Sequence, residues 1–102
     1  MKPVFISPRA ALDLREIGDW IAQDNPRRAL TFVAELRDHA LRIGHAPEAP
    51  PRRDDLADGL RMAVHRPYLI FFRIEADAVR IERVLHGARD LRGLFGDRDA
   101  QG

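Results

Sequence analysis

Apolar residues recur along this chain with two periods, and the change from one to the other divides it. Ala10, Leu14, Ile17 and Ile21 return at steps of four, three and four, one apolar stripe on a helix of about four turns. Ser7-Pro8 supplies its start, serine as N-cap and proline at the first helical position. Asp24-Asn25-Pro26 ends that helix and opens another by the same device. The second stripe runs through Ala29, Phe32 or Val33, Leu36, Ala40 and Ile43, and stops at Gly44. Two amphipathic helices with so short a link predict an antiparallel helical hairpin.

After Gly44 the periodicity vanishes. Pro47, Pro50 and Pro51 forbid a regular element, so 45–59 is predicted as loop, with Leu56 tucked onto the core. Three strands are then predicted: Leu60–His65, Tyr68–Ile74 and Ala78–Leu85. The last alternates Val79/Ile81 with Arg80/Glu82, so one face meets water. The middle run is apolar on both faces, as a strand covered on each side requires. Val4-Phe5-Ile6 adds a short strand in front, and Leu91, Leu94 and Phe95 a short C-terminal helix. The predicted class is α+β: an N-terminal strand and helical hairpin on a three- to four-stranded antiparallel sheet, in the order β-α-α-β-β-β.

Composition narrows the chemistry. The 102 residues contain no cysteine, which excludes disulfides, thiolate metal sites and a cysteine nucleophile. No run approaches the roughly 20 apolar residues of a membrane span, and no signal-peptide core is visible, so a cytoplasmic protein is expected. A formal net charge of +1 is uninformative, but residues 61–92 hold seven arginines against four acids. That excess fits an acidic partner or phosphates, and equally a solvated sheet face. No two of the four histidines show metal-ligand spacing, so no metal or cofactor is expected. His39, His45 and His65 read as surface residues, and Trp20, Phe32, Phe71 and Phe72 as core. The Arg52-Arg53-Asp54-Asp55 run reads as a solvated loop.

Four pieces together resemble the RelE/ParE toxin superfamily, and within it the ParE branch: Ser7-Pro8-x-Ala10-x-x-Asp13-Leu14-x-x-Ile17; Asn25-Pro26-x-x-Ala29; Gly59-Leu60-Arg61 with Tyr68-Leu69-Ile70-Phe71-Phe72-Arg73; and Val84-Leu85-His86-Gly87-Ala88-Arg89-Asp90. The resemblance implies one toxin domain over residues 1–96 with a flexible tail at 97–102. It implies no cofactor, and an antitoxin that neutralises the toxin by wrapping it. RelE-like members cut messenger RNA on the ribosome, whereas ParE-like members poison DNA gyrase.

RNA cleavage by 2′-hydroxyl attack needs a general base, a general acid and cations on the phosphate. RelE-type toxins draw these from lysines, two arginines and a C-terminal tyrosine. The matching positions here hold Arg61 without a lysine, Leu69, Arg89 and Phe95. Only Arg89 survives, which argues for a non-enzymatic toxin; the alternative catalytic set is Arg61, His86 and Arg89. His86 either handles a proton beside Arg89 or hydrogen-bonds the backbone where the strand ends. Arg89 and Asp90 either face the target, or pair a carboxylate such as Glu82 and cap the last helix. Leu91, Leu94 and Phe95 either pack on the sheet or line a groove.

The resemblance therefore assigns target binding to His86, Arg89, Asp90, Leu91, Leu94 and Phe95. Antitoxin binding falls to Trp20, Arg61, Arg73, Arg80 and Arg83. The expected partners are a ParD-like ribbon-helix-helix antitoxin and DNA gyrase, with DNA reached only through the antitoxin. A toxin that retains antitoxin binding alone is a further alternative.

Overall fold

A computed structural model describes residues 1–95; the predicted tail at 97–102 lies outside them. The elements are β1 (Val4–Ile6), α1 (Pro8–Ala22), α2 (Pro26–Arg42), β2 (Arg61–His65), β3 (Tyr68–Ile74) and β4 (Val79–His86). Residues 91–95 form a last helical turn. Both helices start as the sequence indicates. Ser7 Oγ accepts from the Ala10 amide at 3.0 Å, and Asn25 Oδ1 from the Arg28 amide at 3.0 Å. Ser7 also donates from Oγ to the Glu82 carbonyl at 3.2 Å, so the cap of α1 is tied to β4.

The strand order is β1-β4-β3-β2. Strands β2, β3 and β4 form the antiparallel meander, while β1 joins β4 in parallel over Val4–Ile6 and Val79–Ile81. The parallel pairing follows from the connection: β1 reaches the sheet before the helices, and β4 last of all, so no hairpin links them.

Apolar side chains cover both faces of the sheet. On one, Leu14, Ile17, Phe32 and Leu36 of the hairpin meet Ile70, Phe72, Val79 and Ile81. On the other, Leu56, Leu60 and Phe95 close over Phe71 and Leu85. The two-sided apolar pattern of β3 is thereby explained, and Leu56 pins the proline-rich loop as expected. The Arg52–Asp54 and Arg53–Asp55 pairs lie on the exposed surface of that loop.

One irregularity positions the candidate site residues. Phe72 pairs with Ile81 but Phe71 with Arg83, so Glu82 is an extra residue in β4. This bulge resets the alternation. Before it Val79 and Ile81 face the helices; after it Val84 does, and Leu85 joins the opposite cluster.

Candidate functional site

Beyond the bulge β4 runs free of β1, and its outer side faces α1. Asp13 fills the first gap. Its carboxylate, 4 % exposed, accepts from Arg83 Nε at 2.8 Å, Arg83 Nη2 at 3.1 Å and the Val84 amide at 3.0 Å. A buried carboxylate so provided is tolerated because each oxygen has a donor.

One turn further along α1 no described residue fills the gap, and a groove of about 520 Å³ opens. Its apolar lining comes from Ile17, Tyr68, Val84 and Leu85; Glu16, Trp20, His86 and Arg89 add a carboxylate, an indole, an imidazole and a guanidinium. Trp20 is 68 % exposed, against the expectation that it is core. The cause is geometric: β4 ends at His86, and among the described residues no element reaches over the last turn of α1. Tyr68 is buried, which pushes its phenol pKa up, and its ring meets that of His86 edge-on at 5.3 Å. His86 Nδ1 accepts from the Ala88 amide at 3.0 Å, the backbone role weighed for it. A chain of ring contacts continues inward from Tyr68 to Phe32 (5.7 Å) and from Phe32 to His65 (5.6 Å).

The remaining candidates divide. Asp90 Oδ1 accepts from the Gly93 amide at 3.1 Å, capping the last turn. Leu91 and Leu94 pack on the second core, and Phe95, 5 % exposed, stacks on Phe71 with centroids 5.0 Å apart. These three therefore cover the sheet rather than line a groove. Glu82 is engaged by Arg73 and Arg80, at 3.8 and 3.5 Å, and not by Arg89. Arg73 also donates to the Asp58 carbonyl, and Arg80 lies 4.9 Å over the Phe5 ring. Arg61 donates to the carbonyls of Glu48 and Pro50, at 3.1 and 2.7 Å, holding the proline-rich loop. Arg83 is only 15 % exposed and is held by Asp13, so it presents little to a partner.

Register separates the alternative catalytic set. Arg61 pairs with Phe72, which pairs with Ile81, so His86 stands five residues further along β4. At roughly 3.3 Å per residue the offset is about 16 Å along the strands alone. His86 and Arg89 share the groove; Arg61 does not.

Sequence reasoning missed three features. Tyr68 and Glu16 enter the groove through topology, with no local signal. His39 and His65, expected at the surface, are half-buried and face one another. An apolar groove on the outer face of the hairpin includes Ala22, Pro26, Leu30 and Val33, with Leu30 77 % exposed; an unpaired leucine at a helix position outside the stripe was its only sign.

A helical hairpin laid on a meander, with β1 returned in parallel to β4, defines a RelE/ParE-type toxin fold. The family model described as the ParE toxin of the type II toxin–antitoxin system, parDE, matches residues 4–91. The chain belongs to that family and is the toxin component of a type II system, which implies a cognate antitoxin. Among solved structures it is similar to a chain of the chromosomal ParDE system from P. aeruginosa, at 22 % identity and a TM-score of 0.74. That alignment covers 84 % of this chain and 96 % of the other. It is also similar to a chain of the RelBE2 toxin–antitoxin complex from Mycobacterium tuberculosis, at 24 % identity and a TM-score of 0.60, covering 83 % and 96 %. At such identities the likeness concerns the fold. No curated protein matches the chain.

Proposed function

We propose that this toxin acts without catalysis, by binding DNA gyrase and trapping its cleaved-DNA intermediate. A ParD-like ribbon-helix-helix antitoxin holds it inactive in the cytoplasm, and the complex represses its own operon. The observation that carries this reading is the groove at the end of α1. It places Trp20, assigned to the antitoxin, beside His86 and Arg89, assigned to the target. Occupants of one groove exclude each other, so an antitoxin segment seated there keeps the target off. The exposed Leu30 surface supports an amphipathic segment continuing over the hairpin. The failure of Arg61 to join His86, and the burial of Phe95, support a clamp over a nuclease.

The rival, a ribosome-dependent mRNA endonuclease, draws support from one observation: Tyr68, His86 and Arg89 bring a phenol, an imidazole and a guanidinium to the same groove. Purified gyrase and programmed ribosomes, each given the toxin, separate the two. Linear gyrase-linked DNA with intact mRNA supports the proposal; cut mRNA with intact DNA overturns it. Loss of both activities with antitoxin binding retained identifies a toxin reduced to its antitoxin contacts.

A further inference from the structure

The seam between α2 and β2 holds a feature that lies outside the groove. His39 Nδ1 and His65 Nδ1 lie 2.8 Å apart, with ring centroids at 5.1 Å and both residues half-buried. Two ring nitrogens at hydrogen-bond distance require one to carry a proton and the other to keep its lone pair. His39 comes from the helix and His65 from the last residue of β2, the strand at the sheet edge. The bond therefore ties an edge strand to the layer above it.

The surroundings offer little to a second proton. Burial lowers the His39 pKa, His65 and Arg42 add to that effect, and Asp38 alone opposes it. Asp38 is itself paired with Arg42 at 3.2 Å, both on α2. Around His65 stand the Phe32 ring of α2, its strand partner Tyr68 and, next in sequence, the exposed Arg66. Among the described residues, Asp38 is the one carboxylate that acts on His39.

We propose that His39 and His65 form a proton-sensitive clasp on β2. It is closed while one Nδ1 keeps its lone pair, and it opens when both Nδ1 atoms are protonated. The direction follows from the lowered pKa of His39. Below the ordinary imidazole midpoint, about 6.5, the unfolded chain takes up the proton before the folded one does. The contribution of the clasp is intact above that pH and is lost as pH falls through it.

The test is an NMR titration of both imidazoles in the full chain, with hydrogen exchange of the β2 amides followed over the same range. His39→Asn serves as comparison, since its amide can donate to a neutral His65 Nδ1 through Nδ2 or, flipped, accept from a protonated one through Oδ1. The clasp predicts that His39 titrates below the ordinary midpoint. It also predicts β2 exchange faster by about tenfold in acid after correction for intrinsic rates, the scale of one lost hydrogen bond. That acceleration is absent from His39→Asn. Titration of His39 at the ordinary midpoint, with β2 protection unchanged, overturns the proposal. The wild-type titration decides alone if the variant does not fold.

Discussion

Asp13 on α1 and Arg83 on β4 are seventy residues apart in sequence and joined by two hydrogen bonds, at 2.8 and 3.1 Å. The same carboxylate receives the Val84 amide at 3.0 Å, at the point where β1 no longer covers β4. Asp13 thus completes the sheet edge and fixes the first turns of α1 against it. Replacing it with alanine leaves a guanidinium and an amide without their acceptor. Asp13→Ala is expected to lower unfolding free energy by about 3 kcal/mol, the scale for breaking a buried pair. Chemical denaturation measures it, and a loss below about 1 kcal/mol, the scale of a surface pair, contradicts this role.

Phe95 closes the second core on Phe71 and Leu85. Phe95→Ala is expected to cost about 3 kcal/mol, and truncation after Arg89 to expose the Phe71 face to a hydrophobic dye. Full stability of the truncated protein means that 91–95 does not hold the sheet.

Tyr68 is the only tyrosine, so its ionisation can be followed in isolation by ultraviolet absorbance. Burial raises its pKa. As pH rises past the ordinary phenol value, about 10, the unfolded chain loses its proton first. The stability contribution is therefore present below that value and is lost as pH climbs through the folded one. Absorbance of the folded protein should titrate later than that of the denatured chain, and coincident curves contradict the burial.

Trp20 exposes most of its surface and supports no core. Trp20→Ala is expected to change stability by no more than about 0.5 kcal/mol, as for other surface positions. Its affinity for the antitoxin should fall about thirtyfold or more, as at an aromatic hot spot. Calorimetric titration against the cognate antitoxin measures this, and unchanged affinity removes Trp20 from that interface.

Much of the fold is legible in local patterns because the signals are local. Ser7-Pro8 and Asn25-Pro26 are caps that work wherever they occur, and the two-sided apolar run of β3 announces layers above and below. The parallel return of β1 is not legible, since pairing between Val4 and Val79 leaves no mark on either segment. The bulge did leave one: Glu82-Arg83-Val84-Leu85 breaks the alternation with two polar and two apolar residues. Trp20 misleads because it borders the stripe of Ile17 and Ile21, and only the end of β4 leaves it uncovered among the described residues. His65 sits near a hairpin turn, where solvent is the reasonable expectation; its partner His39 lies 26 residues away on another layer.

In the proposed reading the groove meets the target, and Arg89 is its exposed cation. The most direct measurement is gyrase-linked linear DNA formed by purified gyrase with wild-type toxin and with Arg89→Ala, both first shown to be folded. The account predicts abundant linear product with the wild type and a loss of about tenfold or more with the variant, the scale of a charged contact removed from an interface. Equal product from both proteins, or none from the wild type, contradicts it.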